Sequence, residues 1–196
     1  MGVSLSWIAI EGKSSEALHS QLGLSETGEQ GGVLDFPMVG LTLPSGWYLL
    51  VAKGCDHKML SDRVLGNLSS EASVIGCSVE EHVMFSSAML WREGGRIWSI
   101  RHRGGDYGIM DLVADGEPPS SFDQLRAEFF SKQQLEGGES ADVDLIFDIP
   151  LELAKSFVGF KHDEKTPDVE DDGFRALRLE LGGFLAEATK PWWKIW

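Results

Sequence analysis

Five histidines, two cysteines and 31 carboxylates carry whatever acid–base, nucleophilic or metal chemistry this chain has. His82 is the histidine with the most promising neighbours. It follows Glu80 and Glu81 and stands four residues before Ser86. A histidine between a carboxylate and a hydroxyl is the arrangement that activates a serine for hydrolysis. Alternation along a strand would put His82, Ser86 and, across a hairpin, Arg101 on one face. One reading is therefore a small hydrolase using His82 with Ser86 or Glu80. The favoured reading is the polar outer face of a sheet, because a flat strand lacks the sharp turn and oxyanion donors such a nucleophile uses.

The other groups are weaker. His102 falls on the apolar face, opposite Ser87, and reads as a core or sheet-edge histidine. Cys55, Asp56 and His57 are consecutive, and adjacent residues rarely point at one atom, so a metal or thiol site is not expected there. His162, Asp163 and Glu164 read as a solvated helix end. No glycine-rich loop with its lysine opens a helix after a strand, so no phosphate cradle is expected. Carboxylates gather at 139–148 and at 168–172, but Glu170-Asp171-Asp172-Gly173 lacks the alternating oxygen ligands of a calcium loop. These runs read as a solvated face and a loop. No cofactor and no metal are expected.

The elements that must position these groups are marked by Gly-Gly pairs at 31–32, 94–95, 104–105, 137–138 and 182–183. Glycine tolerates positive φ, so each pair marks a turn. Ser4-Leu-Ser-Trp-Ile-Ala-Ile reads as a strand buried on both faces. A short helix follows, capped by Ser14 and ended by Gly23. Residues 25–46 read as a loop with an apolar cluster from Val33 to Phe36. Gly46-Trp-Tyr-Leu-Leu-Val-Ala is a second strand, followed by a short helix starting at Ser61 or Asp62.

Two β-rich runs flank Gly94-Gly95, a hairpin signature. A turn there would set Trp91 opposite Trp98 and give one face Val83, Phe85, Met89, Trp91, Trp98 and Ile100. The other face would carry His82, Met84, Ser86, Ser99, Arg101 and Arg103. Asp106–Gly116 reads as a further strand. Ser121 and Gln124 form a capping box for a helix whose Phe122, Leu125, Phe129 and Leu135 lie near one face. Residues 143–147 read as strand-like, with Asp148 capping a helix beside Pro150. Leu177, Leu179 and Leu181 alternate with charges as a closing strand. The expected architecture is one α+β domain over 1–196: a β-α-β-α start, a central hairpin and helices on a largely antiparallel sheet.

Composition narrows the function. The hydrophobic fraction of 42% supports a real core. Thirty-one acidic residues against 17 basic ones leave a charge of −14. Such a surface repels nucleic acid and anionic lipid and speeds encounter with a basic partner. Two cysteines without a metal-type spacing, and no apolar membrane-length window, lead to the expectation of a cytoplasmic protein with reduced thiols.

The stretches GWYLLVA, VEEHVMFSSAMLW and VDLIFDIPLELAKSFVGFKHDE, with the ending KPWWKIW, resemble a family of uncharacterised proteobacterial proteins. The family transfers no catalytic residues. In size and acidity it is similar to the immunity proteins that neutralise polymorphic bacterial toxins. The resemblance implies a non-enzymatic binding protein, most plausibly an immunity-type inhibitor of a basic toxin domain, or else a scaffold subunit. The residues assigned to partner binding are Asp168, Glu170, Asp171, Asp172, Glu139, Asp142, Trp193 and Trp196. For Trp192, Trp193 and Trp196 the expectation is that at least two rings pack on the domain, the alternative being a handle for the partner.

Overall fold

The computed structural model describes residues 2–187, so Trp193 and Trp196 lie outside the described residues. Its frame is a nine-stranded antiparallel sheet with helices packed on it. The strands are β1 (Ser4–Glu11), β2 (Leu24–Gly31), β3 (Met38–Thr42), β4 (Tyr48–Lys53), β5 (Ser73–Glu80), β6 (Phe85–Arg92), β7 (Gly95–Arg103), β8 (Val113–Gly116) and β9 (Phe174–Leu179). Their order is β2-β9-β3-β4-β1-β5-β6-β7-β8. The helices are α1 (Ser15–Leu22), α2 (Asp62–Leu68), α3 (Gly104–Tyr107), α4 (Ser120–Leu135), α5 (Asp148–Val158) and α6 (Phe184–Glu187).

β1 shows why the sheet is covered on both sides. Leu5, Trp7 and Ala9 enter one core cluster with the α5 residues Ile149, Leu153, Ala154 and Val158. Ile8 and Ile10 enter a second cluster with Leu18 and Leu22 of α1, Leu65 and Leu68 of α2, and Leu185 of α6. A strand buried on both faces has no polar alternation, as its sequence indicated. α1 also keeps its expected ends. The Ser14 hydroxyl accepts from the Ala17 amide, and Gly23 closes the helix at φ 70°.

Several expectations change. Residues 25–46 are not all loop, since they contain most of β2 and the whole of β3. β2 is an edge strand paired only with β9, and its middle is exposed, so no apolar alternation marks it. The hairpin turn is Glu93-Gly94, at φ 51° and 74°, one residue before the expected site. A bulge then pairs Leu90 with Trp98 but Trp91 with Arg96. Trp91 and Trp98 therefore lie on opposite faces, in different core clusters, and the expected cross-strand pair does not exist. The same shift puts His102 opposite Ser86 rather than Ser87.

Only Val113–Gly116 of the expected 106–116 strand is extended. α4 starts at Ser120 without a side-chain cap, so the Ser121–Gln124 box is not formed. Phe122 is buried, while Leu135 is 85% exposed. Residues 143–147 form turns instead of a strand, because the Asp144 carboxylate accepts from the Phe147 amide. β9 ends at Leu179, and Leu181 is fully exposed in the following turn.

Candidate functional site

α5 carries Asp148, Glu152 and Lys155 along its polar side, and the chain after it folds back over them. Lys161 is only 7% exposed, and its ammonium nitrogen lies 2.9 Å from Asp148, 3.2 Å from Glu152, 3.4 Å from Asp163 and 3.6 Å from Glu164. Burial alone would pull the lysine down, but the surrounding carboxylates reverse this and hold it above its usual value. Lys155 bonds Glu164 at 2.8 Å, which raises Lys155 and lowers Glu164. Two lysines thus answer four carboxylates from within.

The acidic residues assigned to a partner are not bonded into this cage, but they border hollows that also touch Glu152, Lys155 and Glu164. Asp168, Glu170, Asp171 and Asp172 are exposed in the segment leading to β9. Asp171 meets Lys165 at 3.7 Å, and among the described residues Asp168, Glu170 and Asp172 have no ion-pair partner. Asp168 adopts φ 59°, a left-handed conformation that aspartate tolerates. This segment walls two hollows that share Thr166. The larger, about 420 Å³, is lined by Leu43, Pro44, Val158 and Pro167 together with Glu152, Lys155 and Asp168. The smaller, about 330 Å³, is lined by Val33, Phe160, Val169 and Phe174 together with Glu164, Lys165, Glu170 and Asp171.

Glu139 and Asp142 are exposed in the link between α4 and α5. Buried Gln133 clamps that link, donating to the Gly138 and Val143 carbonyls and accepting from the Leu145 amide. The link enters α5 at its N-terminus, whereas Asp168 shares a hollow with Val158 and Gly159 at its C-terminus. The two acidic sets therefore sit at opposite ends of an 11-residue helix, about 16 Å apart along its axis.

The histidines are committed elsewhere. His82 lies in a one-turn helix at Glu81–Val83, not on a strand, and its Nδ1 is 2.6 Å from Glu80 on the surface. Ser86 is fully buried and donates its hydroxyl to the Phe147 carbonyl at 2.6 Å. The expected His82–Ser86 face is broken because the chain turns at Met84, φ 48°. His102, fully buried, has Nδ1 2.6 Å from the Asp111 carbonyl and Nε2 2.9 Å from Asp144. Both ring nitrogens are thus engaged, Nδ1 with a backbone carbonyl and Nε2 with a carboxylate. His102 is a clasp between β7 and the α4–α5 link, with no free nitrogen to act as a base.

His162 does not cap a solvated helix end as its sequence suggested. Its side chain is 2% exposed and bonds Glu81 at 3.1 Å, and Glu81 also accepts from the Val3 amide. The Cys55 sulfur lies 2.9 Å from the Ser78 hydroxyl, and burial pushes the thiol above its usual value, away from the nucleophilic thiolate. Among the described residues no group of three or more histidine, cysteine or acidic side chains is placed to hold a metal ion.

One pairing escaped the sequence altogether: His19 Nε2 lies 2.6 Å from the Tyr48 hydroxyl, beside Glu26 and Arg175. Nothing local announces it, since the partners are 29 residues apart on different elements. No described helix is long and apolar enough to cross a membrane. Comparison of the chain with family models, curated proteins and solved structures gave no match.

Proposed function

We propose that this protein is a non-enzymatic, cytoplasmic binding protein, an immunity-type inhibitor that captures a basic toxin domain through the acidic face beside α5. The observation that carries the reading is the pair of largely apolar hollows beside the exposed carboxylates Asp168, Glu170 and Asp172, which have no ion-pair partner among the described residues. An apolar floor supplies affinity once it is dried, while unpaired charge at the rim steers a cationic partner and sets specificity. The net charge of −14 extends the same field over the whole surface.

The hydrolase alternative loses its nucleophile, because the Ser86 hydroxyl is buried and given to a backbone carbonyl. The His82–Glu80 pair alone remains at the surface.

The test is a pull-down, with this chain as bait, of the toxin-like domain encoded by an adjacent gene. Retention of a basic domain and neutralisation of its toxicity on co-expression are expected. Failure to retain it, or the lack of any toxin gene nearby, would overturn the assignment.

A further inference from the structure

At the end of the sheet where β2, β9, β3 and β4 run side by side, the face shared with α1 is left open. A hollow of about 300 Å³ lies there, lined by Ser15, Glu26, Gln30, Thr42, Tyr48 and Arg175 among others. That is room for about ten water molecules, the scale of one sugar ring. Elsewhere both faces of the central strands are packed with aliphatic and aromatic side chains. Here the groups that converge are a carboxylate, a guanidinium, a carboxamide and three hydroxyls. Small-ligand sites are mostly apolar with a few placed polar groups, and a lining this rich in hydrogen-bonding groups suits a ligand that is itself polar all round.

Local features hold the lining in place. β2 carries an irregularity between Glu26, which pairs with Leu177, and Gln30, which pairs with Arg175. Leu177 and Arg175 share a face of β9, so Glu26 and Gln30 both lie on the Arg175 side, and the two extra residues bring Gln30 rather than Gly28 opposite Arg175. Gly40, opposite Arg175 on β3, forms the floor. A side chain at Gly40 would collide with the Tyr48 hydroxyl and press on Leu177. Glycine inside a strand here allows the Tyr48 ring to cross β3 and reach His19.

Burial pushes the Tyr48 phenol well above its usual range, so it stays protonated. Burial pulls His19 below its usual value, against the opposing pull of Glu26 and Glu16. Tyr48 and neutral His19 share one hydrogen bond across 2.6 Å, and the phenol, which can both donate and accept, keeps a hydrogen-bonding position for the hollow. Arg175 meets Glu26 through one nitrogen at 3.3 Å, with both side chains about half exposed. The guanidinium keeps further N–H groups free, and the carboxylate keeps an oxygen free. The Glu26–Arg175 pair is electrically balanced. An anion would meet Glu26, and an amine would meet Arg175.

We propose that this hollow binds a neutral polyhydroxylated ligand of monosaccharide size, with neighbouring hydroxyls bridging Glu26 and Arg175 and a further hydroxyl bonded to Tyr48. This site is separate from the acidic face assigned to a partner, and it stands whether or not that assignment does.

The test is saturation-transfer NMR on the full chain with D-glucose, D-galactose, N-acetyl-D-glucosamine and D-ribose at millimolar concentration. Transfer to at least one sugar is expected. Arg175→Gln, at an exposed position that leaves the fold intact, should abolish it. Tyr48→Phe should weaken it about five-fold, the worth of one hydrogen bond. Arg178→Gln, on the same strand but bonded to Ser25, should leave it unchanged. Absence of transfer from all four sugars would overturn the proposal. So would transfer that survives both hollow substitutions, or displacement of the sugar by equimolar phosphate or glycine.

Discussion

Replacing Lys161 with methionine keeps most of the aliphatic stem and removes the ammonium from its four carboxylates. Breaking a fully buried ion pair by removing one partner destabilises by about 3–5 kcal/mol. The carboxylates here are between 24% and 47% exposed, so water takes up part of that loss. A loss of about 2–3 kcal/mol at pH 7 is expected, a fall of about 5–10 °C in Tm for a chain of this size. The pH dependence identifies the cause. In the native protein the ammonium is held above its usual value, so its contribution is complete below that value and fades only as the pH rises through the alkaline range. The gap between native and variant should therefore hold from pH 7 to pH 9 and close only as the pH climbs through the alkaline range. Urea unfolding followed by tryptophan fluorescence measures it. A loss below about 0.5 kcal/mol, or a gap that already closes between pH 7 and pH 9, would show that the Lys161 ammonium does not hold these carboxylates together.

Ser86→Ala removes the hydroxyl that ties β6 to the Phe147 carbonyl and leaves that acceptor buried. It should lower stability by about 1–3 kcal/mol in urea unfolding, while toxin-domain capture by the refolded protein is unchanged. Gly23→Ala meets two obstacles, a left-handed backbone and the main chain of Gly183 against it. It should cost about 2 kcal/mol or more, read from the Tm, whereas Gly46→Ala, equally left-handed but facing open space, should cost about 1 kcal/mol.

The parts of the fold legible in the sequence are those fixed by neighbours along the chain. Ser14 and Gly23 bracket α1 because capping needs only adjacent residues, and the doubly buried β1 shows in its unbroken apolar run. The 93–95 hairpin was visible, but its register was not. Glu93 takes the left-handed position that glycine was expected to fill, and the bulge near Ile97 reverses the side chains beyond it. β2 was hidden because an exposed edge strand buries too little to leave a pattern. The site followed the same rule. Asp168 and Glu170–Asp172 stood out as a charge run. What separates them from Asp148, Glu152, Asp163 and Glu164 is the fold-back of Lys161, which no spacing encodes. His162 looked solvated because its partner, Glu81, is 81 residues away.

The central claim is that the carboxylates beside the two hollows recruit a basic toxin domain. The most direct measurement is the association rate of the neighbouring gene's toxin domain with the native chain and with a variant combining Asp168→Asn, Glu170→Gln, Asp171→Asn and Asp172→Asn. Electrostatic recruitment predicts an association rate that falls about ten-fold in the variant and steeply with salt in the native protein, with dissociation little changed. Equal association rates for the two proteins, insensitive to ionic strength, would contradict the account.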